Sequence, residues 1–348
     1  MTTTRICLLF CAALAAPVAA HPQNQELQHR FAQVNGIRMH YVEQGTGPLV
    51  VLVHGFPESW YSWRHQLPVL AAAGYHVVAP DMRGYGQTEV PPEIAAYTML
   101  HLVGDVTGLV ETLHEKQAIL IGHDWGASVV WNAALVRPDM FRAVAAMSVP
   151  FRQRGKTPPL RGMREAGLYT YYQLYYQDVG PAEAEYDRDP RKTLRTTFYS
   201  LSGDYPRGRP PVRLLQPGKG ALDNLLDPEH LPAWLTEEDL NYMTADVKRT
   251  GFRGGLNWYR NIDRNWELMA PWNDSVIRQP ALFIAGTEDH VIKGPTGKSP
   301  RPDMKTSVPN MRRELYIEGA GHYIQQERPK EVNAALLDFL QTVSEPRP

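Results

Sequence analysis

The chain has 348 residues, of which 43% are hydrophobic, and its 36 Lys and Arg residues nearly balance its 37 Asp and Glu residues. That length suits one large domain, or one domain that carries a sizeable insertion. The net charge of -1 and the lack of a basic run argue against nucleic acid as a partner.

The first 20 residues have the pattern of a signal peptide. Arg5 supplies a short positive region, an apolar stretch follows, and small residues precede His21. The apolar stretch is well short of the roughly 20 residues that a membrane-spanning helix needs. We therefore expect a secreted or periplasmic protein without stable membrane insertion. Cys7 and Cys11 both fall inside this segment, so the mature chain would have neither a thiol nor a disulfide.

Short hydrophobic runs alternate with helical patterns after a polar segment, 21–29, which we expect to be irregular. Nearly continuous apolar runs are typical of strands that are buried on both faces, as in a parallel sheet between helices. The helical patterns include 98–115 and a C-terminal helix that begins at Pro329. This alternation predicts a doubly wound α/β fold with a mostly parallel central sheet. The predicted strands are Leu49–Val53, Tyr75–Ala79, Gln117–Ile121, Ala143–Met147, Ala281–Ala285 and Glu314–Ile317.

The alternation is interrupted in the middle of the chain by a stretch that is rich in Tyr, Arg and Pro. It contains helical pieces but no convincing buried strand. We therefore predict a helical lid at 151–275, inserted between a first core segment at 27–150 and a second at 276–348. Within the lid, 203–220 is rich in Gly, Pro and Arg, and we expect a loop there.

A strand-to-helix turn at 122–126, GHDWG, has the form of a nucleophile elbow with Asp124 where ester hydrolases carry Ser. Its two glycines allow the tight turn, and the start of a helix favours a carboxylate. A carboxylate attacks saturated carbon and forms an alkyl ester with the enzyme, whose carbonyl water then attacks. Asp at such a place can also serve only as a helix N-cap. The neighbouring loops favour the catalytic interpretation.

Three further residues at the ends of predicted strands complete a candidate active site. The loop after the first strand contains Phe56, and its N–H together with that of Trp125 would form an oxyanion hole. Asp289, with Glu288 as a competing acid, follows the fifth strand, and His322 follows the last. The order nucleophile, acid, histidine is that of α/β-hydrolases. Because the sequence contains no HExxH motif, no Cys/His cluster and no complete phosphate loop, we expect neither a metal nor a cofactor.

Six segments between about residues 30 and 340 carry a resemblance to a known family. They are HGFPESWYSW at 54–63, DMRGYG at 81–86, GHDWG at 122–126, YQLYYQ at 172–177, GFRGGLNWYRN at 251–261 and GH at 321–322. GHDWG is shared with haloalkane dehalogenases, whereas YQLYYQ and LNWYRN are far more specific. With these motifs, the chain resembles the soluble epoxide hydrolases of the α/β-hydrolase fold.

The resemblance implies an enzyme that converts epoxides and water to vicinal diols without a cofactor. Asp124 would attack an epoxide carbon while two lid tyrosines, which the motifs identify as Tyr172 and Tyr259, donate hydrogen bonds to the epoxide oxygen. A phenol with a pKa near 10 suits that task. His322, oriented by Asp289, would then activate water to cleave the ester. Other lid tyrosines are expected only to pack: Tyr169, Tyr171, Tyr175 and Tyr176.

Two rival functions stay open on the sequence alone. A haloalkane dehalogenase shares the nucleophile and the histidine, but its halide site usually uses indole N–H donors rather than paired phenols. A non-catalytic α/β-hydrolase used as a binding protein often lacks a triad member, whereas all three positions are filled here. The segments 203–220 and 293–310 depart from the family pattern and leave the size of the substrate open.

Overall fold

The computed structural model describes residues 26–344 apart from 207, 209–211, 296 and 298–300. The predicted signal peptide therefore lies outside the described residues. Eight strands are present: β1 (Gln28–Val34), β2 (Ile37–Gln44), β3 (Leu49–Val53), β4 (His76–Pro80), β5 (Ala118–His123), β6 (Phe141–Met147), β7 (Ala281–Gly286) and β8 (Met311–Ile317). They form one sheet in the order β1-β2-β4-β3-β5-β6-β7-β8. β2 runs antiparallel to its two neighbours and every other pair is parallel, which confirms the predicted α/β fold.

Thirteen α-helices connect and cover these strands in the described part of the chain. They are α1 (Leu67–Ala72), α2 (Met99–Thr112), α3 (Trp125–Val136), α4 (Pro159–Glu165), α5 (Tyr172–Tyr175), α6 (Pro181–Tyr186), α7 (Pro190–Leu201), α8 (Glu237–Thr250), α9 (Arg253–Arg260), α10 (Ile262–Leu268), α11 (His290–Lys293), α12 (Ile324–Glu327) and α13 (Pro329–Ser344). Short 3₁₀ helices lie at Trp60–Trp63, Ile94–Tyr97, Leu222–Asn224 and Ala270–Trp272. None of the described helices has both the length and the hydropathy that crossing a membrane requires.

The central strands are apolar throughout because helices cover both faces of the sheet. All residues of β3, β5 and β7 are buried. In β3, Val51 and Val53 face a core that includes residues of α2 and α3, whereas Val50 and Leu52 face a core with residues of α1 and α13. The alternation of side chains in a strand sends successive residues to opposite faces. The carboxyl ends of the parallel strands are thereby left for loops.

The sequence analysis missed the β1–β2 hairpin at the edge of the sheet. The expectation of an irregular segment was wrong for Gln28 and His29, which lie in β1. Asn35 and Gly36 turn the hairpin with φ of 46° and 80°, the positive angles that a type I′ turn demands. An Asn-Gly pair between alternating strands was the signal that would have found it. The six predicted strands are all present, with ends displaced by at most three residues.

The stretch 151–275 contains α4 to α10 and, among its described residues, no strand beyond an isolated bridge between Tyr171 and Leu214. Side-chain hydrogen bonds attach it to the sheet domain. The Trp258 indole donates to the backbone oxygen of Arg83 at 3.2 Å. The Trp60 indole donates to Tyr242 of α8 at 2.9 Å. These hydrogen bonds hold the helices above the loops that follow β3 and β4.

Candidate active site

Asp124 lies between β5 and α3 with φ 51° and ψ -119°, a backbone conformation that residues other than glycine rarely adopt. Close packing of the turn fixes it there. A Cβ atom on Gly126 would lie 2.0 Å from the backbone oxygen of Val53, and one on Gly122 would lie 2.3 Å from the oxygen of Gly126. The Asp124 side chain makes no capping hydrogen bond to α3. The carboxylate is thus presented to the space above the sheet rather than used as a helix cap.

One of the two predicted oxyanion-hole donors, the Phe56 N–H, contacts this carboxylate. The Phe56 N–H donates to Oδ1 of Asp124 at 2.9 Å. Trp125 is the first residue of α3, where the N–H groups have no acceptor within the helix. Phe56 thus already contacts the oxygen on which charge would develop, while the role of Trp125 stays a prediction.

The structure brings His322 and Asp289 close to Asp124, although Asp124 and Asp289 are more than 160 residues apart in the chain. Nε2 of His322 lies 3.5 Å from Oδ2 of Asp124, and its Nδ1 lies 3.2 Å and 3.4 Å from the two carboxylate oxygens of Asp289. Glu288, the competing acid, pairs with Lys293. The residues Asp124, His322 and Asp289 are all buried, with exposed fractions of 9%, 2% and 0% respectively.

Two carboxylates control the protonation of His322. Burial by itself would lower the pKa of the imidazole, but the charges and hydrogen bonds of Asp289 and Asp124 outweigh it and raise this pKa to about 10. Burial would raise the pKa of each carboxyl, but His322 holds both pKa values below their usual range. The surroundings of His322 therefore favour an imidazolium between two carboxylates.

Sequence reasoning missed Ser148, which follows β6 and is fully buried. Its Oγ lies 2.9 Å from Nδ1 of His322. Its hydrogen bond to Asp289 also helps to lower the pKa of that carboxyl. Ser148 thus restrains both members of the His322–Asp289 pair. No motif marks it, and its position at the carboxyl end of a central strand was the available signal.

Glu58 is a second residue that the sequence analysis left out, and it joins the loops that carry the site. Its Oε2 accepts from Nδ1 of His123 at 2.8 Å and from the Gly55 N–H at 3.2 Å. Its Oε1 accepts from the side chains of Gln325 and Gln326, both at 3.0 Å. These partners come from the loop after β3, the end of β5 and α12. One buried carboxylate therefore fixes three separate segments.

Tyr172 and Tyr259 line the same pocket as Asp124 and His322. Their ring centroids are 5.8 Å apart. Burial raises the pKa of both phenols well above the ordinary value, so both keep their protons at any physiological pH. The Tyr172 hydroxyl accepts from the Gln173 side chain at 3.0 Å, which leaves its proton for another acceptor. The arrangement supplies two hydrogen-bond donors close to the carboxylate.

The other lid tyrosines differ from one another. Tyr171 is buried and Tyr175 packs partly buried against the core, as predicted. The prediction was wrong for Tyr169, which is 72% exposed. Tyr176 is buried but also lines the pocket, where its hydroxyl lies 2.5 Å from that of Tyr186. Tyr176 therefore contributes to the shape of the site as well as to packing.

A pocket of about 530 Å³ opens above Asp124, and a second, wider pocket adjoins it. Four residues line both: Asp124, Tyr172, Arg213 and Tyr259. The two segments that depart from the family pattern contribute to the walls: Val212 lines the first pocket, Arg213 lines both, and 294–295 line the second. Arg213 was not predicted as a site residue.

Asp289, His290 and His322 form the one group in the described part of the chain whose ligand atoms, all within 4.8 Å of one another, are spaced as a metal site would require. Asp289 and His322 already bind each other. A protonated His322 also has no free lone pair to offer to a metal. The donor set therefore fits the acid and base of a proton-transfer site rather than a metal centre.

Comparison with known proteins gives one consistent result. The chain matches the α/β-hydrolase fold family over residues 48–329. It is 47% identical to epoxide hydrolase A of Mycobacterium tuberculosis, over 89% of this chain and 96% of that protein. Among solved structures, epoxide hydrolase A from Mycobacterium thermoresistibile is 48% identical with a TM-score of 0.84, covering 91% of this chain and 98% of its own. An epoxide hydrolase from an endophytic Streptomyces is 44% identical with a TM-score of 0.86, covering 91% and 96%.

The charge arrangement at His322 predicts how its titration changes when Asp124 loses its charge. Asp124→Asn keeps the size of the side chain but removes one of the two carboxylates that hold the proton, so the pKa of His322 should fall from about 10. Histidine NMR signals followed against pH measure this. Glu288→Gln is the matched control, because Glu288 pairs with Lys293 instead. An unchanged titration of His322 in Asp124→Asn would contradict the electrostatic account.

Proposed function

The chain belongs to the epoxide hydrolases of the α/β-hydrolase fold, and on that premise we propose that it opens epoxides in two steps through an ester on Asp124. The observation that carries the proposal is that Asp124 lines one pocket together with two protonated phenols, Tyr172 and Tyr259. The Asp124 carboxylate is buried there and does not cap the helix that follows it. A carboxylate suits attack on saturated carbon, and phenols suit an oxygen that becomes negative. The product is a vicinal diol.

In the first step Asp124 attacks one epoxide carbon from the side opposite its C–O bond. The electron pair of that bond moves to the oxygen, which becomes an alkoxide. An alkoxide is a stronger base than a phenolate, so Tyr172 or Tyr259 can donate its proton although burial raises the phenol pKa. The nucleophile is already ionised in the resting site, because His322 holds the pKa of Asp124 low.

In the second step water cleaves the ester, and the first step prepares the base for it. Ester formation removes the negative charge of Asp124, which is one of the groups that raise the pKa of His322. The imidazolium then gives up its proton more readily, and this proton restores the phenol that was deprotonated in the first step.

Nε2 of the neutral His322 accepts a proton from water as the water oxygen bonds to the ester carbonyl carbon. His322 thereby becomes an imidazolium again, and Asp289 stabilises this cation. Collapse of the tetrahedral intermediate breaks the bond from that carbon to the substrate oxygen, which takes the carboxyl proton and leaves as the diol, so that the Asp124 carboxylate forms again. The Phe56 N–H, and by our proposal that of Trp125, stabilise the negative oxygen of the tetrahedral intermediate.

Replacing His322 should separate the two steps. His322→Gln removes the base for the water step and also one group that lowers the pKa of Asp124, but the Phe56 N–H still stabilises the carboxylate. We therefore expect the ester to form more slowly and to accumulate during turnover of an epoxide. Intact-protein mass spectrometry should show one added substrate mass, located by digestion on the peptide that contains Asp124. The double variant with Asp124→Ala is the control and should carry no adduct. A folded His322→Gln protein without an adduct would contradict the covalent mechanism.

The two phenols should share the stabilisation of the opening epoxide. General acids typically contribute about 100- to 10,000-fold to a rate, and two donors can partly replace each other. We therefore expect Tyr172→Phe and Tyr259→Phe each to slow alkylation, and the double variant to be slower than either. Single-turnover quenching of the nearby Trp125 fluorescence measures that step, since the Trp125 and Tyr259 rings are 5.1 Å apart.

Tyr169→Phe is the matched control, because Tyr169 is exposed and should tolerate the change. A double variant that still opens epoxides at the parent rate would leave these tyrosines as packing residues. If that variant instead releases halide from haloalkanes, the dehalogenase interpretation gains support.

We also propose that the protein is exported, on the support of the N-terminal pattern of Arg5, an apolar stretch and small residues before His21. The mature protein should begin at or near His21 in the culture supernatant or periplasm of its native host. N-terminal mass analysis of the purified protein measures this. Protein that begins with Met1 or Thr2 would contradict export by cleavage.

A further inference from the structure

Arg213 places a positive charge beside one of the two phenols of the site. Its Cζ lies 5.1 Å from the centroid of the Tyr172 ring. No arginine or lysine of the described residues lies over the Tyr259 ring, which packs against Phe56 and Trp125 at centroid distances of 5.4 Å and 5.1 Å. The two phenols therefore have different electrostatic surroundings, although they line the same pocket.

The backbone holds Arg213 and Tyr172 together. The Tyr172 N–H donates to the backbone oxygen of Arg213 at 3.0 Å, and the Leu215 N–H donates to the oxygen of Thr170 at 2.8 Å. Nη1 of the guanidinium adds a side-chain hydrogen bond to the Tyr171 hydroxyl at 3.2 Å. The cation is therefore attached to the same segment of the lid that carries this phenol.

The charge of this guanidinium is not neutralised by an ion pair with any carboxylate of the described residues. A guanidinium has five N–H donors, and the hydrogen bond to Tyr171 uses only one of its nitrogens. A cation withdrawn from water usually has a carboxylate partner. Arg213 faces instead the rings of Tyr171 and Tyr172, whose hydroxyls carry no charge until they lose a proton.

The proposed first step moves a negative charge onto a phenol. As Asp124 bonds to the epoxide carbon, the electron pair of the C–O bond moves to the epoxide oxygen, which takes a proton from a tyrosine. The charge that began on Asp124 thus ends on the oxygen of that tyrosine, until the proton of His322 restores the phenol. A group that stabilises this phenolate lowers the barrier of the first step.

Two donors are already directed at Tyr172. The Gln173 side chain donates to its hydroxyl oxygen at 3.0 Å, and the Arg213 cation lies over its ring. Burial raises the pKa of Tyr172, and the charge of Arg213 acts against this effect. Burial also raises the pKa of Tyr259, where Tyr172 and Asp124 raise it further. Tyr172 is therefore better prepared than Tyr259 to become negative.

We propose that Arg213 is a positioning residue that stabilises the phenolate of Tyr172, so that Tyr172 donates the proton while Tyr259 contributes a hydrogen bond. This inference rests on the proposed opening of an epoxide by Asp124, and it adds a residue that acts through Tyr172 without touching the reacting atoms. A unit charge a few ångströms from a phenolate should favour its formation about 10- to 100-fold at the effective dielectric constant of a protein site.

Single-turnover alkylation by an uncharged aryl epoxide tests this role, since such a substrate brings no charge of its own. Arg213→Met should slow alkylation about 10- to 100-fold, and Arg213→Lys should restore much of the rate because it returns a cation. Most of the effect of Arg213→Met should disappear when Tyr172→Phe is already present, whereas it should persist with Tyr259→Phe. Arg161→Met is the matched control, because this exposed lid arginine pairs with Glu165 and its loss should leave alkylation unchanged.

A titration of the phenol itself separates charge from packing. With 3,5-difluorotyrosine in place of Tyr172, fluorine NMR follows the ionisation of that one hydroxyl against pH. Arg213→Met should raise its pKa by about one to two pH units, because an opposite charge nearby favours the ionised form, and Arg213→Lys should largely reverse the change. The same probe in place of Tyr259 should respond much less.

Slower alkylation in Arg213→Met without a change in the pKa of the probe at position 172 would mean that Arg213 only packs, and would overturn the inference. Equal pKa changes at positions 172 and 259, or a full rate loss in the Tyr172→Phe background, would overturn it as well. Both results leave epoxide opening by Asp124 intact. If the parent opens no epoxide, the proposed function itself fails, while the titration still decides whether Arg213 stabilises the phenolate of Tyr172.

Discussion

The buried carboxylate of Glu58 is the interaction on which the geometry of the site depends. It binds the loop after β3, the end of β5 and α12 through four hydrogen bonds, and its side chain is fully buried. His123 continues the network, because its Nε2 lies 2.7 Å from the backbone oxygen of His322. The nucleophile, the Phe56 donor and the base are therefore held relative to one another before substrate arrives. Such preorganisation is a large part of enzymatic rate enhancement.

In the proposed mechanism, charge rather than movement connects the two chemical steps. His322 lies between Asp124 and Asp289, and both carboxylates raise its pKa against the effect of burial. In this proposal alkylation of Asp124 cancels one of these charges, so the step that binds the substrate covalently also makes His322 a better base. Asp289 and Ser148 both contact Nδ1 of His322, and this directs Nε2 of the same ring toward Asp124. In this proposal His322 is the protonated partner of Asp124 in the resting enzyme and becomes the base that accepts a proton from water after alkylation.

The helical insertion determines which molecules reach this chemistry. The sheet domain supplies Asp124, His322 and Asp289, whereas the insertion supplies Tyr172, Tyr259 and most of the pocket wall. Removing water from around these groups strengthens the hydrogen bonds that the phenols make to a developing alkoxide. The sheet domain thus supplies the nucleophile, the acid and the histidine of the site, whereas the insertion supplies the two phenols and most of the wall. Substitutions in the wall can alter selectivity without disturbing the Glu58 network.

The sequence by itself determined the sheet, the elbow and the order of nucleophile, acid and histidine, because these follow from local rules. Apolar runs specify buried strands, and the glycines around Asp124 specify a turn that other residues cannot make. Asn35-Gly36 encoded the hairpin in the same way, although the analysis missed it. The tertiary structure alone revealed Ser148, Glu58 and Arg213. Ser148 contacts His322, 174 residues away, Glu58 contacts Gln325 and Gln326, 267 and 268 residues away, and the contacts of Arg213 depend on lid packing. No local pattern encodes such distant side-chain contacts; they exist only once the chain has packed.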